Sequence, residues 1–202
     1  MDLKQFSKEI EKHAKEIDTL ARRKFPAKVA ARAEKHYRGN FDRGGFMNNG
    51  NHPWKTTKRQ QSGKESAGAK YGPLLSGRAH LKSSVIGTHS PYRAKVINDV
   101  IYAWIHNYGG TNEVHPAVTP KMRRFAWAKF YELGGSTKKT EDGQKQPENK
   151  AAEKWKALAL TKKEKLTIEV TIPQRQFIGR SAELESGIWD DLDKELETIL
   201  NR

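Results

Sequence analysis

Residues 99–110 read D-V-I-Y-A-W-I-H-N-Y-G-G and hold a helix start signal, an apolar stripe and a stop signal within about two turns. Asp99 stands where a carboxylate caps the first amides. Ile101, Trp104, Ile105 and Tyr108 fall at i, i+3, i+4 and i+7, and Gly109 supplies the left-handed residue that ends a helix. A helix this short does not persist in water by itself, so the stripe is expected to pack across a sheet as core.

The strands for that sheet are sought on either side. Leu74–Thr88 combines a turn at Ser76-Gly77 with a strand through Leu81 that ends near Gly87. Tyr92–Asn98 follows as an antiparallel strand, joined through His89, Ser90 and Pro91 by a connection short enough for a hairpin. Leu166, Ile168, Val170 and Ile172 alternate with Thr167, Glu169 and Thr171 until Pro173 stops the run. The strands near 81, 94 and 166 are expected to form one sheet.

Helices cover it. Leu3, Phe6, Ile10, Ile17 and Leu20 repeat at threes and fours, with His13 in the remaining seam position, and are expected to pack on the sheet rather than on a coiled-coil partner. Pro26 either kinks this helix or opens a second one, whose face of Val29, Ala33 and Tyr37 runs to Gly39. Thr119 and Pro120 start a further helix with Met122, Phe125, Ala126, Phe130 and Leu133 on one face, widened by Trp127 and Tyr131, and closed by Gly134-Gly135. Residues 151–160 are a short helix bearing Trp155 and Leu158. The last helix aligns Leu184, Ile188, Leu192, Leu196 and Ile199, with Glu183 and Glu185 favouring its dipole.

Two polar segments interrupt this pattern. Residues 39–73 have only Phe41, Phe46, Trp54 and Tyr71 as large apolar groups, and read as a long loop pinned at a few points to the body or to a partner. Residues 136–150 hold no large apolar residue and are expected to be mobile. The organisation is therefore an N-terminal helical segment (1–38), a loop with the first strands and central helix (39–110), an inserted helical excursion (111–164), and a final strand and helix (165–202). The expected class is α+β, a small antiparallel sheet covered by N-terminal, central and C-terminal helices, with an inserted helical hairpin.

The chain of 202 residues carries a formal charge of +14, is 35% hydrophobic and has no cysteine. Disulfides and thiolate zinc sites are excluded, and no apolar run is long enough to span a bilayer. Residues 181–202 carry seven acids against Lys194 and Arg202, net −5, so the remainder carries +19 and the last helix reads as an acidic face for basic partners. The basic run from Arg22 to Arg38 offers DNA binding as the alternative function, but no reading motif accompanies it.

Enzymatic chemistry finds no constellation. The chain lacks H-E-x-x-H, G-x-S-x-G and a phosphate cradle with its lysine. His106 and His115 flank the Gly109-Gly110 turn, but a histidine at a helix end reads first as a structural group. Asp190, Asp191 and Asp193 point in different directions on a helix and read as a solvated face rather than a metal site. No catalytic residue, cofactor or metal is assigned.

Three separated blocks, Y-G-P-L-L-S-G-R-A-H-L-K-S-S-V, Y-A-W-I-H-N-Y-G-G and I-P-Q-R-Q-F-I-G-R-S, resemble the phage virion morphogenesis family, the tail-completion proteins of Mu-like phages and related prophages. Their order and spacing match, with Phe46 and Trp54 in the upstream loop. The residues that carry the likeness are Leu75, Gly77 and Leu81 in the first block, Tyr102, Ile105, His106 and Gly109 in the second, and Pro173, Arg175, Phe177 and Gly179 in the third. Leu81 stands four residues after Gly77, where the family's simpler pattern places its leucine two after. The stretch around Phe125 and Trp127 looks like an insertion found in a subset of the family. Read from the residues alone, Arg175 and Phe177 at this chain corner serve fold closure before partner contact.

The resemblance implies a non-enzymatic protein acting in tail completion or head-tail joining. Its partners would be other tail or neck proteins and further copies of itself in a ring, with DNA not favoured and no membrane involved. It would work in the host cytoplasm during assembly and then in the virion, at the tail or neck.

Overall fold

The computed structural model describes residues 2–63, 65–136 and 150–201. The segment expected to be mobile lies, from 137 to 149, outside the described residues. Two compact units are built, one from Met1–Gly110 with Ile172–Arg202 and the other from Thr111–Thr171.

A helical rod opens the first unit. Leu3–Thr19 (α1), a π-helical turn at Leu20–Lys24 and Phe25–Arg43 (α2) follow one another with right-handed helical backbone at both junctions. Pro26 has no amide to donate, and in the first turn of α2 the wider turn before it absorbs both the missing bond and the ring. The rod runs past Gly39 to Gly44, whose φ of 64° and bonds to the carbonyls of Asn40 and Phe41 close it.

The stripe on α1 does not pack on a sheet. Leu3 is 84% exposed, Phe6 and Ile10 each 52%, and α1 buries no residue. The first buried residue of the rod is Leu20, and α2 buries Ala30, Ala33, Tyr37 and Phe41.

The expected long loop contains structure. Gly45–Met47 (β1) pairs antiparallel with Asn51–Pro53 (β2), and a 3-10 turn at Gln60–Ser62 and the single-turn helix Ala67–Lys70 (α3) follow. Leu81 is buried but lies in another short helix, His80–Ser83 (α4), rather than in a strand. Val85–Ser90 (β3) and Arg93–Asn98 (β4) form the expected hairpin, in register from Val85 opposite Asn98 to Ser90 opposite Arg93. Gly87 does not end β3 but sits within it, where an added Cβ would lie 2.3 Å from the Ala30 carbonyl oxygen. Glycine is thus what lets the hairpin press backbone to backbone on α2.

The central helix is shorter and faces differently than its stripe implies. It spans Ala103–Tyr108 (α5), with Tyr102 rather than Asp99 at its cap. The Asn98 side chain takes the Val100 amide at 3.2 Å and holds the preceding turn instead. Ile101, now outside the helix, is 88% exposed, and Trp104 and Tyr108 are exposed too. The buried residues are Ala103, Ile105 and Asn107, because the core here needs a small residue for close approach and an amide for the loop described below.

The last strand also pairs elsewhere. Ile168–Ile172 (β6) lies beside Gly110–Val114 (β5), so the described residues form three two-stranded antiparallel sheets and the class remains α+β. Alternation in sequence identifies a strand but not its neighbour, and the strand that emerges from α5 takes this one. Ile168 and Val170, the apolar members of the alternation, are exposed.

In the second unit Pro120–Glu132 (α6) packs on Lys150–Leu160 (α7), the expected helical hairpin. Thr119 Oγ1 takes the Met122 amide at 3.2 Å and Pro120 opens the first turn. Ala126 and Phe130 are buried, as are Ala152 and Ala159, the alanines permitting close approach. Phe125 meets Trp155 edge to face at 5.7 Å. Arg123 closes the pair by donating to the Ala159 and Thr161 carbonyls at 3.0 and 2.6 Å.

Ala182–Leu200 (α8) returns to the first unit, capped by Ser181 Oγ on the Leu184 amide at 3.3 Å. Its acidic face does not wait for a basic partner. Asp191, expected to be solvated, is only 8% exposed and takes Arg32 Nε at 2.5 Å, while Lys28 reaches Glu195 at 2.9 Å. These bonds hold Asp191 below the usual carboxylate range, the Arg32 bond first. Gly187 faces this contact, where an added Cβ would lie 2.6 Å from Arg32 Nη1.

Phe130 is the largest fully buried side chain of the helical hairpin. Phe130→Ala is expected to cost that unit about 3–5 kcal/mol. Hydrogen exchange should show faster exchange in α6 and α7 with protection of α2 and α8 unchanged.

Candidate functional site

The Pro173–Arg180 stretch carries no regular structure, yet its backbone is held by partners from three parts of the chain. Arg175 donates its amide to the His106 carbonyl at 2.8 Å. Trp54 Nε1 donates to the Gln176 carbonyl at 2.8 Å, and Tyr37 hydroxyl to the Gly179 carbonyl at 2.7 Å. Asn40 Nδ2 donates to the Phe177 carbonyl at 3.1 Å. Asn107 does the most, accepting the Phe177 and Ile178 amides on one oxygen at 2.8 and 3.0 Å and donating to the Ile178 carbonyl at 3.1 Å.

A buried segment without secondary structure needs such partners, because each unmet amide or carbonyl would cost its full desolvation. The reward is the burial of Phe177, whose ring meets Phe41 at 5.1 Å, with Phe41 in turn edge-on to Trp54 at 5.5 Å. Ala33, Tyr37, Phe46, Leu81, Val85, Ala103 and Leu184 complete this core. Gly109 is required where the loop crosses α5: its φ is 73°, and a Cβ would lie 2.9 Å from the Gln174 amide nitrogen.

Arg175 closes the corner from within. It is 7% exposed, and its Nε and Nη2 both donate to the Lys55 carbonyl at 3.0 Å. No carboxylate pairs with it among the described residues. Burial lowers its pKa, and burial, then the charge of Arg175, lowers that of His106. Tyr102 lies edge-on to His106 at 5.8 Å. Beside them opens a pocket of about 410 Å³ whose walls also include Arg59, Leu74, Leu75 and Leu81.

The structure thus brings Phe46, Trp54, Leu75, Leu81 and Phe177 to one core of the first unit and Leu75, Leu81, Tyr102, His106 and Arg175 to one pocket, while Ile105 is buried on α5, Gly109 lies against Gln174 and Gly179 against Gln176 and Phe46. Pro173 is exposed at the start of the loop, and Gly77 is exposed beside the Tyr71 hydroxyl. Phe125 and Trp127 belong to the second unit. Asn40, Asn107 and Arg59 escaped the sequence reading. The signal for the asparagines was present, since each is a poor helix former placed beside core aromatics. Among the described residues no group of three His, Asp or Glu side chains is arranged to hold a metal ion.

A model of the phage virion morphogenesis family matches residues 1–197 of the chain. No curated protein and no solved structure matches it.

Asn107→Ala strands two buried amides and a carbonyl and is expected to destabilise the first unit by about 3–5 kcal/mol, measured by urea denaturation. A second test uses pH. His36 and His106 are both held below their ordinary value by burial, so the folded form takes up protons less readily than the unfolded chain. Their contribution is complete above the unfolded pKa of about 6.5 and declines as pH falls below it. The melting temperature should therefore drop between about pH 7.5 and 5, and a His36→Gln, His106→Gln double variant should flatten that slope.

Proposed function

From a chain that belongs to the phage virion morphogenesis family, and so has a role in phage virion assembly, we propose a non-enzymatic protein that acts in tail completion or head-tail joining through protein contacts. The observation that carries this reading is the amount of large apolar surface left uncovered on ordered elements. Leu3, Phe6, Ile10 and Ile17 are exposed along α1, and Trp104, Tyr108 and Ile101 stand out around α5. Surfaces of this kind are what neighbouring subunits bury. Copies of the chain meeting head to tail would form a ring at the tail or neck, since such contacts close when their rotation permits.

The DNA-binding alternative loses support from the same structure. Arg32 and Lys28 are engaged by Asp191 and Glu195, and Arg38 by Glu34 at 2.7 Å, so the basic run is partly neutralised within the fold. No helix of the described residues is long and apolar enough to cross a membrane. The proposed setting is the host cytoplasm during assembly and then the tail or neck of the particle.

The test is electron microscopy of induced lysates with an in-frame deletion of the gene, complemented by wild-type or by a Phe6→Asp, Ile10→Asp variant. The deletion should leave filled heads beside detached or overlong tails. The variant should melt with the wild type, because those side chains are exposed, yet fail to restore joined particles. Normal virions from the deletion would refute the assembly reading.

A further inference from the structure

The pocket beside Arg175 has a composition that closure of the fold does not require. Its cationic walls are Arg59 and Arg175, with the His106 ring beside them and no acidic residue among those that line it. Arg59 Nε and His106 Nδ1 are buried without a hydrogen-bond partner, and Arg175 Nη1 makes none among the described residues. Arg59 Nη2 is spent on the Gly72 and Leu75 carbonyls, so a carboxylate in the pocket would take donors these bonds leave over, and leaving the buried Arg59 Nε unmet is costly. The remaining walls are apolar, from Leu74, Leu75, Leu81 and the Tyr102 ring, with Thr57 and Ser76 at hand as hydroxyls. Leu74 is held at a φ of 62°, a conformation a bulky residue adopts only when its surroundings impose it.

We propose that this pocket receives an acidic side chain, presented together with an adjacent apolar residue, from a peptide segment of a neighbouring assembly protein. The charges supply the complement for the carboxylate, and the leucines and Tyr102 supply the surface for its apolar neighbour. A volume of about 410 Å³ suits one or two side chains rather than a folded element. A phosphate-bearing polymer fits the charge but not the leucine walls. The inference rests on the assembly reading and names the chemistry of one partner.

The experiment is fluorescence anisotropy on the full chain with labelled, end-blocked peptides Gly-Leu-Glu-Leu-Gly and Gly-Leu-Gln-Leu-Gly. The Glu peptide should bind at least about tenfold more tightly than the Gln peptide. Arg59→Gln should weaken the Glu peptide by about tenfold, and Ser76→Glu, on the exposed rim, should block it with an added carboxylate. Circular dichroism and the melting temperature establish that both variants are folded, and Ser76→Glu removes no bond from the loop. Equal affinity for the two peptides, or unchanged binding in both folded variants, overturns the proposal. Displacement by inorganic phosphate at constant ionic strength overturns it in favour of a phosphate ligand. Probe binding that falls as the chain is concentrated overturns it in favour of a second copy. Absent peptide binding beside a defective deletion strain would refute this pocket alone, whereas normal virions would refute the assembly reading and leave the binding result standing.

Discussion

Two buried asparagines, Asn40 on α2 and Asn107 on α5, take hold of the backbone at Phe177 and Ile178, and the first unit depends on that grip. Without it the segment between β6 and α8 would carry unmet amides and carbonyls into an apolar core. With it, a stretch that belongs to neither helix nor sheet inserts Phe177 against Phe41 and brings three distant parts of the chain to one place. Polar networks of this kind specify one arrangement because a displaced partner leaves several groups unsatisfied at once.

The same anchoring explains why large apolar side chains are left at the surface. Because α5 spends its buried side on Ala103, Ile105 and Asn107, its large residues Trp104 and Tyr108 are turned outward. Because the rod buries no residue before Leu20, much of the apolar face of α1 is also left exposed. Both surfaces sit on ordered helices, so a partner that covers them does not have to order the chain as it binds. Charge is distributed in the opposite sense, with the acidic α8 turned onto the basic α2 through Asp191 and Glu195. The strong net charge of the chain is therefore less available at that face than its composition implies.

The sequence made much of this legible where information is local. The N-terminal helices, the pairing of β3 with β4 and the capped start of α6 at Thr119 and Pro120 follow from periodicity, turn residues and caps, although α2 runs past Gly39 and β3 past Gly87. The three family blocks were also legible, and the structure gathers residues of all three around one core. The burial of α5 was not legible, because an i, i+3, i+4, i+7 stripe states that apolar residues share a face and not that the face is covered. The role of Asn107 was hidden for a related reason: an asparagine in a helix looks unfavourable until the loop that it holds is in place.

Sequence alone determined the α+β class, most of the helices, the β3–β4 hairpin and membership in a family of phage assembly proteins, since these depend on composition and on spacings of a few residues. Tertiary structure decided which strand β6 accepts, which side of α5 is inside, that Asp191 pairs rather than faces solvent, and that Arg59, His106 and Arg175 share one pocket. Each of these unites residues many positions apart, and their proximity is settled by packing and by the need to satisfy buried polar groups, neither of which leaves a periodic trace along the chain.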